Sequence, residues 1–270
     1  MKSVLSGLPV NALRYYDRID STNTEASKWV DEGASDFSLV IAEEQTSGRG
    51  RYNRKWFTTS GASLTFSLIL RYFDLNPTSD STWSNSMDII TRITSLGSLA
   101  VSQALKEDFD LDAQIKWPND VLLNGKKTAG ILVEALWMGD YLTAVILGIG
   151  INVAPESVPK NDVLDFPATC IETVLGRGVS RLKLLRSVLE KILNWRDHLG
   201  QPKFILAWEN RLAFRNQWID IIESKLNEAG VTQGLVLGLN KSGGLRLRGR
   251  NGQEFSLNSG EVRLRPLPDL

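Results

Sequence analysis

A run of positive charge between residues 48 and 56 is the part of this sequence best suited to chemistry. It reads Gly-Arg-Gly-Arg-Tyr-Asn-Arg-Lys-Trp, and four of the eight residues after Gly48 are cationic. Glycines let the backbone bend, and guanidinium groups pair with phosphate or carboxylate oxygens through parallel N–H donors. The run is therefore typical of a loop that wraps around an anion, either a phosphate-bearing small molecule or a nucleic acid.

Two further polar stretches narrow the choice of anion. Residues 20–23 (Asp-Ser-Thr-Asn) lie upstream, and residues 116–120 (Lys-Trp-Pro-Asn-Asp) lie downstream, with Gln45 placed just after a hydrophobic stretch. Joining a carboxylate to an α-phosphate brings two anions together, so such a site needs converging cations such as Arg49, Arg51 and Lys116. Together these stretches predict an enzyme that activates a carboxylic acid with a nucleotide.

Each stretch also has an ordinary structural explanation. The cationic run is compatible with a solvated charged turn, and residues 20–23 are compatible with a plain helix start. Lys116 is compatible with a surface lysine whose stem lies on Trp117. However, the cationic run lies between two hydrophobic stretches, where an ordinary turn would be shorter, and this favours a functional loop.

Several common catalytic patterns are missing from the sequence. Gly148-x-Gly150 lacks the third glycine and the helix of a dinucleotide fingerprint, so it fits either close backbone packing or room for a flat ligand ring. The one histidine, His198, lies in a charged helical stretch, which argues against a serine or cysteine triad. One cysteine, Cys170, cannot form an internal disulfide, and this is typical of a reducing cytoplasm.

The composition predicts a globular protein whose basic surface is local. Among 270 residues, 31 Lys and Arg balance 31 Asp and Glu, and 42% are hydrophobic. This balance removes the broad basic field expected when duplex nucleic acid is the main partner. No segment reaches the roughly 18 uninterrupted apolar residues of a membrane helix, and the first ten residues do not form a signal peptide. We therefore expect a soluble cytoplasmic protein with no membrane partner.

Hydrophobic periodicity predicts the elements that position the polar stretches. Strands are expected at 13–16, 39–43, 63–70, 128–136 and 141–153, so the cationic loop joins two strands. Thr22 is expected to cap a helix that ends near Gly33, and Asn124-Gly125 to form a two-residue hairpin turn. Because Pro118 cannot donate to a ladder, Lys116 is expected where a strand leaves the sheet.

The hydrophobic spacing in the rest of the chain predicts helices up to about Arg215 and short strands after it. Helical spacing begins after a polar loop at 76–85 and returns after a proline-rich loop at 154–167. Beyond Arg215, short alternating stretches and tight turns predict a small β-barrel. The predicted fold class is α+β, with a catalytic domain at 1–214 and a small domain at 215–270.

With these residues in view, the chain resembles the biotin–protein ligases, also called holocarboxylase synthetases, over essentially its whole length. The motifs that carry the resemblance occur in the family's order at 20–23, 45, 47–51, 55–56, 116–120, 129–134 and 148–153. The resemblance implies a mixed-sheet catalytic domain with flanking helices, related to class II aminoacyl-tRNA synthetases, and a C-terminal SH3-like barrel. It also implies that ATP activates biotin to biotinyl-5′-AMP, and that a lysine of a biotin carboxyl-carrier domain, such as that of acetyl-CoA carboxylase, then accepts the biotinyl group.

The resemblance also implies roles for individual residues. Lys116 and Arg51 would be catalytic, contacting the reacting carboxylate and phosphate. The biotin site would contain Ser21, Thr22, Asn23, Gln45, Gly48, Arg49, Gly50, Arg51, Trp56, Lys116 and Gly130. The ATP site would contain Arg51, Trp56, Lys116, Asn119 and Asn152. Magnesium (Mg2+) is implied by the nucleotide chemistry, with no protein ligands assigned, and the oligomeric state, including a homodimer, is left open.

Two departures from the family pattern matter. The family loop commonly continues into Arg-Gly-Arg, whereas Tyr52-Asn53-Arg54 stands here, which predicts a stiffer and less charged loop. The motif at residues 20–23 lies too near the first residue for a preceding helix-turn-helix domain, which predicts an enzyme without a DNA partner.

Two alternative functions remain at this point. A lipoate or octanoate–protein ligase or transferase shares the catalytic fold, although the Gly-Arg-Gly-Arg loop favours biotin. The other is an RNA-binding module that uses the C-terminal arginines, namely Arg246, Arg248, Arg250, Arg263 and Arg265. No aromatic residues interleave with these arginines, as stacking on bases would require.

Overall fold

Two β-sheets and the helices packed against them make up the described part of the chain. The computed structural model describes residues 3–71, 86–159, 166–223, 233–258 and 262–266. The predicted loop at 76–85 lies outside these ranges, and so do residues 160–165 of the predicted loop at 154–167. None of the helices within these ranges has the length and apolar character needed to span a bilayer.

The first sheet has seven strands and carries the predicted site. Its strands are β1 Leu13–Ile19, β2 Ser38–Gln45, β3 Ser63–Leu70, β4 Ala113–Lys116, β5 Asp120–Leu123, β6 Lys126–Met138 and β7 Tyr141–Asn152. They lie in the order β1-β2-β3-β7-β6-β5-β4. Only β1 and β2 pair in parallel, and the other neighbours are antiparallel. The predicted mixed sheet is therefore confirmed.

Helices cover both faces of this sheet. They are α1 Thr22–Asp31, α2 Ser86–Phe109, α3 Ile171–Leu175, α4 Arg181–Arg196 and α5 Pro202–Glu209. Because successive strand residues point to opposite faces, Val40 packs with α1 whereas Leu39 and Ile41 join the larger core around α2. The sheet is thus buried on both sides, which explains why its central strands read as nearly continuous apolar runs.

The local predictions around the site need one correction. Ser21, not Thr22, is the N-cap of α1, and its side chain accepts a hydrogen bond from the Thr24 N–H. Asn124 and Gly125 both have positive φ, at 49° and 72°, so the predicted two-residue turn joins β5 and β6. Lys116 ends β4 at the predicted strand exit.

The second sheet has five antiparallel strands. These are β8 Trp218–Glu223, β9 Gln233–Leu239, β10 Leu245–Arg248, β11 Glu254–Leu257 and β12 Val262–Pro266. Their order is β11-β10-β9-β8-β12, and the outer strands do not pair with each other in the described ranges, so the structure shows an open sheet where a closed barrel was predicted. Leu245 and Leu247 point inward and join the same hydrophobic core as α2.

Candidate functional site

A cavity of about 360 Å³ lies between the start of α1, the cationic loop and the ends of the strands β4 to β7. The predicted site residues converge on it, since Ser21, Thr22, Asn23, Gln45, Arg49, Gly50, Arg51, Trp56, Lys116, Asn119, Gly130 and Asn152 all line its wall. Gly48 is the exception. Its carbonyl accepts the Trp56 N–H at 2.9 Å, and a Cβ here would come within 2.3 Å of the Trp56 carbonyl oxygen, so Gly48 closes the neck of the loop.

The cationic loop folds back on itself between β2 and β3. Arg49 and Lys55 form an isolated antiparallel bridge, and the Gly50 N–H donates to the Arg54 carbonyl at 2.7 Å. Tyr52 lies in the left-handed region at φ 57°. Its hydroxyl accepts from Arg51 Nη2 at 2.9 Å, and its ring lies 5.0 Å from the Arg51 guanidinium. Tyr52 therefore orients Arg51 at the cavity wall.

The indole of Trp56 covers a floor made of glycines. A Cβ at Gly150 would come within 2.4 Å of Trp56 Cε2, and one at Gly130 within 3.2 Å of Trp56 Cζ3. Trp56 Nε1 is buried and has no hydrogen-bond partner among the described residues. The glycines at 130 and 150 therefore make room for a flat ring, and in this structure that ring is Trp56 itself.

The start of α1 is held by side chains from β2 and β3. Gln45 Oε1 accepts from the Thr22 N–H at 2.7 Å, which fixes the orientation of the Gln45 carboxamide. Ser67 Oγ lies 2.6 Å from Asn23 Oδ1 and 2.7 Å from Thr22 Oγ1. This buried cluster fixes the polar wall of the cavity.

Asn23 is more constrained than its sequence position suggested. Its Nδ2 donates to Glu134 Oε2 at 2.7 Å, while its Oδ1 faces Ser67. A Cβ at Gly148 would come within 2.1 Å of Asn23 Oδ1, so the glycine is needed to admit this amide. The Asn23 amide is therefore engaged by the protein on both sides, and it shapes the cavity wall.

Glu134 connects the cationic loop to the start of α1. Its Oε2 accepts from Asn23 Nδ2 and, at 2.9 Å, from Arg49 Nη2. Arg49 Nη2 also lies 3.4 Å from Thr24 Oγ1. One carboxylate thus holds the loop against the helix that lines the cavity.

Two lysines share a buried carboxylate at the opposite wall. Asp120 Oδ1 lies 2.7 Å from Lys127 Nζ, and Asp120 Oδ2 lies 3.5 Å from Lys116 Nζ. Burial alone would raise the pKa of Asp120, but the attraction of Lys127 and then of Lys116 outweighs burial and lowers that pKa. Asp120 is therefore ionised at neutral pH and holds both ammonium groups at the cavity.

Each lysine also has an aromatic neighbour. Lys116 Nζ lies 4.6 Å from the centre of the Phe166 ring, and Lys127 Nζ lies 5.6 Å from that of Trp56. The two lysines together with Arg51 and Arg49 outnumber the carboxylates Asp120 and Glu134 around the cavity. This excess of positive charge suits a ligand that carries carboxylate and phosphate groups.

The two asparagines predicted at the nucleotide site are held by backbone carbonyls. Asn119 Nδ2 donates to the Ile131 carbonyl at 2.9 Å, and Asn152 Nδ2 donates to the Thr169 carbonyl at 3.2 Å. Both amides therefore have fixed orientations at the edge of the cavity.

Four residues of this arrangement were not among the predicted site residues: Ser67, Asp120, Lys127 and Glu134. A signal for Ser67 was present, because polar residues alternate at 63, 65 and 67 in an otherwise apolar strand and so share one face. Asp120 and Glu134 belong to the motifs noted at 116–120 and 129–134, and Lys127 lies two residues before the second of these. Their side-chain positions depend on contacts between segments that the motifs do not specify.

The predicted magnesium has no protein ligand set in this structure. Within the described ranges, no group of three or more His, Cys, Asp or Glu side chains is arranged to hold a metal ion. The carboxylate nearest the cavity cations, Asp120, is already paired with two lysines. These residues do not offer the oxygen donors that Mg2+ takes from a protein.

Comparison with known proteins shows which family the chain is similar to. A model described as the biotin/lipoate A/B protein ligase family matches residues 15–152. The bifunctional ligase/repressor BirA of Bacillus subtilis is 35% identical over 203 residues, which cover 73% of this chain and 58% of that protein. The biotin–[acetyl-CoA-carboxylase] ligase of Paracoccus denitrificans is 31% identical over 249 residues, which cover 88% of this chain and 94% of that protein.

The solved structures agree with the sequence comparison. The biotin protein ligase of Aquifex aeolicus, solved in complex with biotin and ATP, matches with a TM-score of 0.76 and 27% identity, covering 95% of this chain and 99% of that one. The match spans both sheets, since it extends well past the residues of the family model. The chain therefore belongs to the biotin/lipoate A/B protein ligase family, as its motifs predicted.

Proposed function

We propose that this chain is an ATP-dependent biotin–protein ligase. It would activate biotin to biotinyl-5′-AMP and then transfer the biotinyl group to a lysine of a biotin carboxyl-carrier domain, such as that of acetyl-CoA carboxylase. The observation that carries the proposal is the convergence of Lys116, Lys127 and Arg51 on one cavity that is also lined by Trp56. The relatives named as biotin ligases support it.

The first step joins two anions. A carboxylate oxygen of biotin attacks the α-phosphorus of ATP and forms a new oxygen–phosphorus bond. The bond between the α-phosphorus and the oxygen that bridges to the β-phosphate breaks, and pyrophosphate is released. The ammonium groups of Lys116 and Lys127 and the guanidinium of Arg51 would neutralise the approaching oxygens and the charge that develops on the phosphorus. Because Asp120 fixes both lysines, little reorganisation is needed as the reaction proceeds.

The second step releases AMP. The neutral amine of the carrier lysine attacks the acyl carbon of the adenylate, an amide bond forms, the acyl–oxygen bond to AMP breaks, and the nitrogen gives up one proton to solvent. The same cations would stabilise the phosphate of the departing AMP. Arg49 and Arg51 lie on the folded cationic loop, and a closed loop would keep water from this reactive mixed anhydride until the carrier arrives.

The two alternative functions receive less support. A lipoate or octanoate–protein ligase belongs to the same family, but the named relatives and the Gly-Arg-Gly-Arg loop favour biotin. The RNA-binding alternative relied on the arginines of the C-terminal segment. Arg246 and Arg248 both pair with Glu254, at 3.1 and 2.7 Å, which reduces the positive charge that RNA would need.

Several finer expectations belong to the same proposal. Magnesium would accompany the triphosphate of ATP rather than a set of protein carboxylates. The proposal includes a division of the chain between residues 214 and 215. The family resemblance further implies a relation to class II aminoacyl-tRNA synthetases and an SH3-like C-terminal domain, whose five strands form an open sheet in the described ranges. The proposal also includes a cytoplasmic location, which the single cysteine supports, and an activity that involves no DNA; a homodimer is compatible with the proposal.

A transfer assay tests this function. The protein is incubated with ATP and a purified biotin carboxyl-carrier domain, together with biotin, lipoate or octanoate in parallel, and the mass of the carrier is measured. The proposal predicts an added biotinyl group that requires ATP, and no comparable gain with lipoate or octanoate. A carrier modified equally well by lipoate would contradict it, and a carrier variant whose target lysine is replaced by arginine serves as the control.

A further inference from the structure

We propose that Trp117 is a positioning residue that couples the second sheet to the turn carrying Lys116 and Asp120. The proposal rests on the proposed function, because it assigns these two residues to the activation of the carboxylate. It concerns a contact between segments that are far apart in sequence.

The contact is a single buried hydrogen bond. Trp117 Nε1 donates to the Gly243 carbonyl at 3.0 Å, and the indole is only 2% exposed. Trp117 stands immediately after Lys116, at the point where β4 leaves the first sheet. Gly243 lies in the turn between β9 and β10 of the second sheet. Any movement of the indole therefore changes the backbone that carries Lys116.

The turn that accepts this hydrogen bond is held by one of its own side chains. Asn240 Oδ1 accepts from the Ser242 N–H at 3.0 Å and from the Gly244 N–H at 2.8 Å, so one side chain holds the turn from within. Gly243 has φ 89°, and a Cβ there would come within 2.5 Å of Trp208 Cζ3. The Gly243 carbonyl is thus presented from a fixed position.

A buried arginine anchors the same turn to the main core. Arg92 of α2 is fully buried, and its guanidinium donates to the Lys241 carbonyl at 2.5 Å and to the Leu199 carbonyl. Burial lowers the pKa of Arg92 to about 10, so the side chain keeps its charge at neutral pH. Hydrogen bonds to a charged donor are the stronger kind, which makes this a firm attachment of the turn to α2.

The outer edge of β4 is held by the segment that enters the second sheet. The Ile115 N–H donates to the Arg211 carbonyl at 2.6 Å, and the Ala213 N–H donates to the Ile115 carbonyl at 2.9 Å. Together with the Trp117 hydrogen bond, these contacts fix the residues on both sides of Lys116. The opposite end of the turn is Asp120, which holds Lys127 as well.

Loss of the indole N–H should therefore disturb chemistry more than substrate binding. The Gly243 carbonyl would stay buried without its partner, and the turn would shift to relieve this. A shift of the two ammonium groups by a fraction of an ångström harms the reacting geometry, whereas the ground-state complex depends on many other contacts.

The test compares two tryptophans whose indoles donate a hydrogen bond. Trp117→Phe removes the hydrogen bond to Gly243 and keeps most of the ring, whereas Trp195→Phe removes the hydrogen bond from Trp195 Nε1 to Gln103 Oε1, 2.8 Å long and away from the turn. Biotin-dependent exchange of pyrophosphate into ATP is measured for both full-length variants. We expect kcat to fall about tenfold or more in Trp117→Phe, with KM for biotin and ATP within about twofold of wild type. Trp195→Phe should keep kcat within about twofold. Equal losses of kcat in both variants, or a change in KM alone for Trp117→Phe, would overturn the proposal.

A second variant keeps the test decisive if Trp117→Phe does not fold. Asn240→Ala loosens the accepting turn, and Asn240 does not line the cavity. This variant should also have a lower kcat with an unchanged KM. An unchanged kcat in Asn240→Ala would overturn the proposal. The rate of hydrogen exchange at the Trp117 indole N–H reports on the contact with the turn and needs no activity assay. Asn240→Ala should raise this rate at least about tenfold. If the wild-type protein showed no biotin-dependent exchange of pyrophosphate into ATP, the proposed function would be contradicted. If the hydrogen-exchange rate of the Trp117 indole N–H were unchanged in Asn240→Ala, only the proposed coupling would be contradicted.

Discussion

The indole of Trp56 lies directly on the backbone of Gly150, so that a methyl group at residue 150 would come within 2.4 Å of Trp56 Cε2. Trp56 ends the cationic loop, whereas Gly150 lies near the end of β7, the central strand of the first sheet. This contact connects the loop to the floor of the cavity. The position of Trp56, and with it the shape of the cavity, therefore depends on the absence of a side chain at residue 150.

Gly150→Ala should weaken ligand binding while the fold is kept. The new methyl group displaces the indole, which can move because it belongs to a loop, and overpacking of this kind costs about 1–3 kcal/mol. If that cost falls on the ligand-bound arrangement of Trp56, the affinity for biotin drops by roughly 5- to 150-fold. Calorimetry with biotin measures the change. Gly178→Ala is the matched control, since the nearest atom to its Cβ, Glu172 Oε1, lies 3.9 Å away. Wild-type affinity in Gly150→Ala would show that Trp56 is not part of the binding site.

Lys116→Ala and Lys127→Ala should separate the roles of the two cavity lysines. If each ammonium group stabilises the reacting anions, each variant should lose at least about a hundredfold in the rate of adenylate synthesis. The rates are compared at a temperature where each variant is folded, because removing a partner of the buried Asp120 carboxylate also lowers the melting temperature. Because both lysines share Asp120, the double variant should lose less than the product of the single effects. The exposed neighbour Lys126 provides the control substitution. Near-normal adenylate formation in either single variant would remove that lysine from the mechanism.

Asp120→Asn should destabilise the protein in a pH-dependent way. The folded-state pKa of Asp120 is lowered, so its carboxylate contributes stability above the unfolded pKa of about 3.9, and that contribution is lost as the pH falls through the folded-state value. Asparagine does not titrate. The difference in the free energy of unfolding between wild type and variant should thus be constant from pH 7 to about 5 and shrink in stronger acid. Urea unfolding at a series of pH values measures it, and a difference that stays constant down to about pH 2 would contradict the ion triad.

Glu134→Gln should loosen the cationic loop with little effect on global stability. Arg49 and Glu134 are both partly exposed, and such an ion pair contributes no more than about 1 kcal/mol to folding. The loop itself makes few other contacts with the helix, so amide exchange across residues 48–56 should become faster. Glu254→Gln, which removes the two exposed ion pairs that Glu254 makes with Arg246 and Arg248 in the second sheet, is the control. Unchanged loop protection in Glu134→Gln would mean that Glu134 does not hold the loop.

Local sequence signals predicted the parts of the site that lie next to each other along the chain. The cationic loop joins β2 to β3, Lys116 ends β4, and Asn124-Gly125 turns the chain into β6, because glycine, proline and hydrophobic periodicity act over a few residues. Even here the predicted N-cap was wrong by one residue, because Ser21 and Thr22 are both suitable capping residues.

Contacts set by strand register could not be predicted in the same way. Ser67 pairs opposite Gly148, and Gly148 in turn opposite Leu132, which brings Ser67 and Glu134 to the two sides of Asn23. Nothing near any one of these residues specifies that arrangement. Likewise, alternating leucines predicted the strands of the second sheet, but whether its outer strands meet depends on sheet curvature, and the closed barrel was not found in the described ranges.

Biotin-dependent exchange of labelled pyrophosphate into ATP tests the central claim most directly, because it reports the joining of the carboxylate to the α-phosphate without any carrier protein. We predict exchange that requires biotin, that is reduced at least about a hundredfold in Lys116→Ala, and that is not supported by lipoate or octanoate. No exchange from a folded protein that binds both biotin and ATP, or equal exchange with octanoate, would contradict the account.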